Sequence, residues 1–268
     1  MPILDGKKIA KEIKKQIGKN VAKENIKPGL AIILIGKNPA SLVYVKLKEK
    51  AAQQLGFYFE KICLSSSINQ EKIIEIIKKL NKDKKIHGII VQIPVPKKIN
   101  TNLLIEAIAP EKDIDGFNQK SLFVSPVYQA IIKLLKACKK NLKNKKVLIL
   151  SKNLVFAQPL TKILKTGKIK SELLLIKSKL SSKTKKADIL IVALGKPKII
   201  KPSMVKKNAI VIDVGYNLIK NKSVGDVDHS VSQKTPYLSP VPGGVGPLTV
   251  AYLLKNVYLS AKKNQKYV

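Results

Sequence analysis

The order of apolar and polar residues along the chain predicts strands and helices that alternate. Short unbroken apolar runs are typical of strands buried on both faces, and apolar residues recurring every three or four positions are typical of amphipathic helices. In the first half, this pattern predicts strands at 31–35, 58–65 and 87–92 and helices at 9–16, 41–55 and 69–81. Such a β-α-β-α-β order is typical of a parallel sheet covered by helices.

The second half repeats the alternation and predicts a Rossmann-like unit. Strands are predicted at 146–150, 173–176, 187–193 and 209–215, with helices at 154–164 and, linking the two units, at 130–136. A last helix at 249–262 has no sheet of its own left to cover, so we expect it to pack back on the first unit. The predicted fold class is α/β, with two α/β units and a cleft between them. The predicted domains are 1–141 with 248–268, and 142–247.

The composition bounds the size and the location of the protein. The chain has 268 residues, of which 45% are hydrophobic, enough for one or two domains with a full core. No apolar run approaches the roughly 20 residues of a membrane span, and the first residues lack the apolar core of a secretion signal. We therefore expect a cytoplasmic protein with no membrane partner. Cys63 and Cys138 lack metal-site spacing, and both are expected to be buried thiols.

The net charge of +35 raises the possibility of a nucleic-acid partner. All 52 basic residues are lysine, however, and they are spread over almost every segment. Base readout relies on the arginine fork, and single-strand binding relies on aromatic platforms, whereas aromatic residues make up 5% of this chain. We expect weak, salt-sensitive binding to polyanions and no specific nucleic-acid partner.

The most informative local feature is a tyrosine and a lysine one helical turn apart. Tyr44 and Lys48 stand at i and i+4 in the predicted helix that follows the first strand. A lysine delivered to a cleft in this way can carry protons if its pKa falls from about 10.4 toward neutrality. Locally, a solvated lysine that packs its stem on an aromatic ring is the more common arrangement. The rest of the chain decides between the two interpretations.

Four motifs give the chain a resemblance to the methylenetetrahydrofolate dehydrogenase/cyclohydrolase family over nearly its whole length. They are GKNPAS at 36–41 leading to Tyr44 and Lys48, GIIVQIPVP at 88–96, PEKDIDGF at 110–117 and SPVPGGVGPLT at 239–249. The resemblance implies that the first unit binds a folate and that the second binds a nicotinamide dinucleotide. It implies a bifunctional enzyme of one-carbon metabolism, with NADP as cofactor and tetrahydrofolate derivatives as substrates. Members of the family usually form homodimers through the Rossmann unit.

The resemblance also assigns roles on the folate side. Lys48 would be the catalytic lysine, Gln92 would hydrogen-bond it, Tyr44 would line the cleft beside the pterin, and Asp115 would hold the donor edge of the pterin. An ionised carboxylate only accepts hydrogen bonds and suits adjacent N–H donors. Gln92 could instead be a satisfied strand end, and Asp115 a turn residue. Pro242, Gly243 and Gly244 would contact the substrate, although these glycines could serve backbone geometry alone.

The dinucleotide side departs from the family pattern. The typical turn Gly-x-Ser-x-x-Val-Gly-x-Pro becomes SKNLVFAQP at 151–159, so both glycines are replaced. Those glycines normally permit a tight turn and close approach to a pyrophosphate. A second departure is Ser125-Pro126-Val127-Tyr128, where a threonine hydroxyl of the family is lost at Val127. The candidate cofactor-binding residues are Ser151, Lys152, Asn153, Ser178, Gly195, Pro197, Asp213, Gly215 and Thr249.

The intact folate side and the altered cofactor side leave three functions open. The first is a bifunctional dehydrogenase and cyclohydrolase, which the remaining cofactor-side motifs favour. The second is a cyclohydrolase that has lost dehydrogenase activity through the degenerate turn. The third, in a different class, is a non-enzymatic polyanion-binding protein built on this fold. Retention of Tyr44, Lys48, Gln92 and Asp115 together argues against the third.

Overall fold

The structure is a computed structural model that describes residues 4–152, 154–175, 181–220 and 222–265. Its helices are α1 Gly6–Glu24, α2 Pro39–Gln53, α3 Gln70–Lys82, α4 Thr101–Ala107, α5 Pro126–Ala137, α6 Leu154–Thr166, α7 Ser181–Thr184 and α8 Val245–Gln265. Its strands are β1 Gly29–Ile35, β2 Tyr58–Leu64, β3 Gly88–Val91, β4 Val147–Ser151, β5 Ser171–Leu175, β6 Ile189–Ala193, β7 Ile210–Asp213, β8 Asn217–Ile219 and β9 Lys222–Val224. These elements confirm the α/β class.

Two compact units divide the described residues. One contains Ala10–Pro126 and the residues from Val250 onward, and the other contains the residues up to Ile9 and Val127–Thr249. We call them the first unit and the second unit. The division at 141/142 and 247/248 made from the sequence stays a prediction about domains.

The first unit is built on a three-stranded parallel sheet in the order β2-β1-β3. Successive side chains of a strand point to opposite faces, and β1 shows this directly. Leu30, Ile32 and Leu34 pack in one apolar cluster, whereas Ala31, Ile33 and Ile35 pack in another. The first cluster includes residues of α2 and α8, and the second includes residues of α3 and α4. The expectation that the last helix packs back on this unit is confirmed.

The second unit is built on a four-stranded parallel sheet in the order β5-β4-β6-β7. The register places Ser151, the last residue of β4, beside Ala193, the last residue of β6. Strands β8 and β9 form a separate antiparallel pair. Because parallel strands end at a common edge, the turns that leave β4, β6 and β7 gather at the carboxyl edge of this sheet, where open α/β sheets bind ligands.

Several predicted bounds change in the structure. Helix α1 is longer than the predicted 9–16, and it continues through Gly18, where a Cβ would lie 3.4 Å from Leu55 Cδ2. A glycine lowers helix stability by about 1 kcal/mol relative to alanine, and α1 contributes Ile17 to the apolar core of the first unit. Helix α4 and the β8–β9 hairpin were not predicted, since their apolar patterns are too short to show a period. Cys63 is exposed, so its predicted burial was wrong, whereas Cys138 is buried as expected.

Within the described residues, no helix is both long enough and apolar enough to cross a membrane.

Candidate functional site

The candidate catalytic lysine is delivered by the turn between β1 and α2. Gly36 ends β1 with φ +78°, a conformation that favours glycine. The Asn38 side chain then accepts a hydrogen bond from the N–H of Ser41 at 3.1 Å and caps α2, and Pro39 occupies the first turn of the helix. Tyr44, half-buried, lies on the same helical face as Lys48, one turn earlier.

Lys48 is a buried lysine with a defined partner. Its side chain is 7% exposed, and its Nζ donates a hydrogen bond to Oε1 of Gln92 at 3.0 Å. Nε2 of Gln92 donates to the carbonyl of Ile93 at 2.9 Å, which fixes the orientation of the amide so that its oxygen faces the lysine. The backbone N–H of Gln92 donates to the carbonyl of Ile33, which holds this residue at the end of β3 beside β1.

Burial and charge act in opposite directions on this amine. Burial lowers the pKa of Lys48 below its ordinary value, and the nearby Asp115 carboxylate works against that shift. Burial likewise raises the pKa of Asp115, and the Lys48 charge works against it. Desolvation disfavours the charged forms of both groups. The arrangement therefore favours a neutral amine at lower pH than an ordinary lysine would allow.

Asp115 lies in a loop whose backbone is fixed from several sides. Gly116 has φ +67°, and a Cβ there would lie 2.6 Å from the carbonyl oxygen of Phe123, so only glycine fits. The Asp113 carboxylate accepts a hydrogen bond from the N–H of Asn118 at 2.8 Å. Nδ2 of Asn256, on α8, donates to the carbonyl of Ile114 at 2.9 Å. The Asp115 backbone is thus held by its neighbours along the loop and by the last helix.

The geometry supports proton transfer in the first unit. A buried amine with a lowered pKa, oriented by an amide and placed near a carboxylate, can accept and return a proton. The structure brings Lys48 and Gln92 into direct contact and places Asp115 close enough to shift the pKa of the lysine. Tyr44 joins this group through its position on α2.

The candidate substrate-contacting segment 242–244 lies in the second unit, and its backbone is tightly constrained. Gly243 has φ +118°, and its carbonyl accepts a hydrogen bond from the N–H of Lys7 at 2.9 Å. The N–H of Gly244 donates to the carbonyl of Pro240 at 2.7 Å. A Cβ at Gly244 would lie 2.7 Å from that same oxygen. Both glycines are required by the turn, and contact of Pro242, Gly243 and Gly244 with a substrate stays a prediction.

Most of the described candidate cofactor residues lie at the ends of β4, β6 and β7, and Thr249 lies in α8. Ser151, buried, ends β4, and Nζ of Lys152 donates to the carbonyl of Gly195 at 3.3 Å. Gly195 has φ +56°, and Pro197 follows in the turn after β6. The hydroxyl of Thr249 donates to the carbonyl of Val245 one turn earlier in α8. Asn153 and Ser178 lie outside the described residues.

Asp213 is the last residue of β7, and Gly215 lies in the turn that follows it. Asp213 is 2% exposed, and its carboxylate accepts hydrogen bonds from the N–H groups of Gly215, Asp226 and Val227 at 2.9, 3.1 and 2.9 Å. Burial is the main cause that raises the pKa of this carboxyl to about 7. The carboxylate of Asp213 therefore holds the backbone of the surrounding loops through these three hydrogen bonds.

Two residues at this edge were missed from the sequence. Asp226, fully buried, accepts hydrogen bonds from the turn after β6, and the Tyr128 hydroxyl donates to the carbonyl of Phe156 in α6 at 3.0 Å. The sequence carries a signal for the first, since Gly225-Asp226-Val227 fits the pattern of the family that the chain resembles. The pairing of Tyr128 with Phe156 joins positions that are 28 residues apart, which no local pattern shows.

Comparison with known proteins gives consistent matches over both halves. The family model described as "Tetrahydrofolate dehydrogenase/cyclohydrolase, catalytic domain" matches residues 4–115, and the corresponding "NAD(P)-binding domain" model matches residues 125–265. The bifunctional protein FolD of Geotalea daltonii is 40% identical over 276 residues, covering 97% of this chain and 99% of the relative.

Solved structures agree with these matches. The bifunctional FolD dehydrogenase/cyclohydrolase of Campylobacter jejuni is 38% identical with a TM-score of 0.91, covering 97% of this chain and 98% of that one. The FolD of Trypanosoma brucei, solved with NADP and an inhibitor, is 30% identical with a TM-score of 0.92, covering 98% and 97% of the two chains.

Proposed function

The chain belongs to the tetrahydrofolate dehydrogenase/cyclohydrolase family, and we propose that it catalyses both reactions in that name. It oxidises methylenetetrahydrofolate to methenyltetrahydrofolate with NADP, and it hydrolyses methenyltetrahydrofolate to formyltetrahydrofolate. The observation that carries the hydrolytic half is the buried Lys48 amine, hydrogen-bonded at 3.0 Å to an amide that is itself fixed. The match of residues 125–265 to the NAD(P)-binding model carries the oxidative half.

In the hydrolytic reaction, the methenyl carbon is cationic and water adds to it. The neutral amine of Lys48 accepts a proton from the water as the new C–O bond forms. The protonated Lys48 then returns a proton to the ring nitrogen as its C–N bond breaks. The hydroxyl proton leaves as the formyl C=O forms, so one proton is released overall. Gln92 keeps the amine aimed at this position, and a cationic substrate lowers the pKa of the lysine further.

In the oxidative reaction, NADP supplies the hydride acceptor, and this chain supplies alignment. Asp115 accepts hydrogen bonds from the donor edge of the pterin, and Tyr44 packs beside the ring. These assignments follow from residue chemistry and from the resemblance, and they are part of the proposal. No proton need move in this step, so Lys48 is less important for it than for hydrolysis.

The residues of the second unit fit a dinucleotide. The Lys152 ammonium lies beside the turn after β6, 3.0 Å from where a Cβ of Gly195 would stand, and a cation there suits a phosphate. Ala157 stands where the family's typical turn has its second glycine, and it is fully buried. Its methyl group therefore lies in the interior of the second unit. Ser151, Lys152, Gly195, Pro197, Gly215 and Thr249 are the described residues that would hold the cofactor, with Asp213 acting through the backbone. Asn153 and Ser178 join them on the sequence argument alone.

Paired assays on one purified sample test this proposal. One follows methylenetetrahydrofolate oxidation with NADP and then with NAD, and the other follows methenyltetrahydrofolate hydrolysis without nucleotide. We expect both reactions. Hydrolysis without any oxidation would establish the cyclohydrolase-only alternative, which the comparisons do not favour, and the absence of both would contradict the proposal.

Replacement of the lysine sharpens the test. Lys48→Met should lower the hydrolysis rate by about 10²- to 10⁴-fold, the usual contribution of general acid–base catalysis, with a smaller effect on oxidation. Lys46→Met, at an exposed position of the same helix, is the matched control and should behave like the wild type. Equal hydrolysis by wild type and Lys48→Met would remove the lysine from the mechanism.

A homodimer and a cytoplasmic location complete the proposal, on the resemblance and the composition respectively. Sedimentation velocity of the purified protein checks the dimer, and a single species with the mass of one chain would contradict it.

A further inference from the structure

Asp226 has an unusual set of partners for a side chain with no surface exposure. Its carboxylate accepts hydrogen bonds from three successive backbone N–H groups, those of Leu194, Gly195 and Lys196, at 2.5, 2.8 and 2.9 Å. It also accepts one from Nδ2 of Asn217 at 2.9 Å. The three N–H groups belong to the turn that directly follows β6. Without this carboxylate the buried N–H of Leu194 would lose its acceptor, which is costly, and the part-buried N–H groups of Gly195 and Lys196 would lose theirs as well.

A second carboxylate lies next to the first. Asp213 accepts hydrogen bonds from the N–H groups of Asp226 and Val227, so it holds the backbone that carries Asp226. The two nearby glycines make room for this arrangement. A Cβ at Gly215 would lie 2.2 Å from Cγ of Asp226, and a Cβ at Gly225 would lie 1.9 Å from Oδ2 of Asp213.

The turn held by Asp226 is next to the candidate phosphate turn. Ala193 pairs with Ser151 in the sheet, so the exits of β6 and β4 are neighbours at the carboxyl edge. The carbonyl of Gly195 accepts the hydrogen bond from Nζ of Lys152 at 3.3 Å. The N–H groups of the turn are already used by Asp226, so an anion there would be attracted by lysine side chains, of which Lys152 is the one bound to the turn.

We propose that Asp226 is a positioning residue for dinucleotide binding, which it controls by fixing the turn after β6 and, through the Gly195 carbonyl, the ammonium of Lys152. It does not touch the cofactor, since it is fully buried. This inference rests on the proposed function and assigns a task to a residue outside the candidate set. It also explains why Gly215 must be glycine, because a side chain there would collide with the Asp226 carboxylate.

The test is Asp226→Asn in the full-length protein. The amide keeps the volume but replaces one acceptor oxygen by an N–H donor that faces donors, so the turn loses its geometry. We expect the Kd for NADP, measured by calorimetry, and the KM for NADP to rise at least tenfold. The KM for the folate and the hydrolysis rate should stay within twofold of the wild type, because Lys48, Gln92 and Asp115 lie in the first unit.

The matched control is Asp228→Asn, two residues along the chain. It removes the same charge, but that carboxylate binds Lys201 and Ser230 and not the turn after β6. NADP binding should be unchanged. The double variant Asp226→Asn/Lys152→Ala should bind NADP no more than about twofold more weakly than Asp226→Asn, because both changes remove the same contact.

Four outcomes overturn the inference. The first is a wild-type Kd for NADP in Asp226→Asn, and the second is an equal rise of that Kd in Asp228→Asn. The third is a loss of hydrolysis in Asp226→Asn as large as its loss of NADP binding. The fourth is a Kd in the double variant that multiplies the effects of the two single changes. If Asp226→Asn does not fold, Asn217→Ala removes one partner of the carboxylate and should raise the Kd two- to fivefold, with no change overturning the inference. A wild type that binds no NADP would instead defeat the oxidative half of the proposed function, and this inference with it.

Discussion

At the scale of single residues, the acid next to the buried lysine controls when that lysine is neutral. Burial lowers the pKa of Lys48 and the Asp115 charge opposes this shift, so Asp115→Asn should lower the pKa of the lysine further. The rising limb of the hydrolysis rate against pH should therefore move to lower pH in the variant, alongside a higher KM for the folate. A pH–rate profile of kcat measures this, with Asp5→Asn, an exposed acid, as control. A limb that moves to higher pH, or does not move, would contradict the electrostatic argument.

A second residue-scale prediction concerns Asp213, whose pKa is raised to about 7, mainly by burial. In the unfolded chain this group titrates near 3.9. The folded state therefore binds its proton more tightly, and the contribution to stability is complete below about pH 4 and is lost as the pH rises toward 7. Asp213→Asn cannot ionise, so its stability relative to the wild type should rise with pH over this window by at most about 1.4 kcal/mol per pH unit, on top of a pH-independent loss because its amide N–H faces N–H donors.

Urea unfolding of the wild type and Asp213→Asn at pH 5, 6, 7 and 8 measures that difference. The difference should grow from pH 5 to pH 7 and then level off. A difference that is constant with pH would mean that Asp213 is ionised throughout, with its three N–H partners outweighing its burial.

At the scale of elements, helix α6 depends on a contact from α5. Pro159 lies inside α6 and lacks the N–H that would bind the carbonyl four residues earlier, so the first turn is weakened. The Tyr128 hydroxyl binds the Phe156 carbonyl at 3.0 Å, and the two rings pack with centroids 5.6 Å apart. Tyr128→Phe keeps the ring and removes the hydrogen bond, and it should destabilise the second unit by about 1 kcal/mol.

Thermal unfolding measures this loss, and Tyr237→Phe is the control because Lys140 contacts the ring of Tyr237, which phenylalanine keeps. Since α6 follows the candidate phosphate turn, the KM for NADP should rise more in Tyr128→Phe than the KM for the folate. Equal unfolding temperatures for Tyr128→Phe and the wild type would show that the hydroxyl contributes nothing to α6.

The elements also show how far the sequence could go. The buried strands β1, β3, β4, β6 and β7 were predicted because such strands give largely apolar runs, as in 31–35, and the partly exposed edge strands β2 and β5 were predicted with shifted bounds. The group of Lys48, Gln92 and Asp115 was found through motifs, and no local pattern gives its contacts. Asp226 and Tyr128 were missed because their importance comes from backbone groups distant in sequence. Almost every residue has the same backbone carbonyl and N–H, so residue identities do not show which backbone group will bind a given side chain.

At the scale of the whole molecule, the net charge of +35 is the dominant electrostatic feature. The described residues contain few close ion pairs, such as Lys61 with Glu49, so most lysines repel one another across the surface. Added salt screens this repulsion over about 10 Å at 0.1 M. The unfolding temperature should therefore rise between 20 and 300 mM sodium chloride, on the order of a few degrees. A scanning fluorimetry series checks this, and a falling temperature would show that ion pairs outweigh the repulsion.

The contact of Asn256 with Ile114 has a consequence for the order of events during synthesis. The two residues are 142 positions apart, and at ribosomal speeds the second emerges about 7 to 28 s after the first. Lys48 and Gln92 can meet early, but the Asp115 loop waits for its anchor until the whole second unit has been translated. A nascent chain therefore carries an Asp115 loop without its anchor on α8, and a chain that ends before α8 lacks that anchor permanently. The candidate site is therefore complete only in a chain that has been translated through α8.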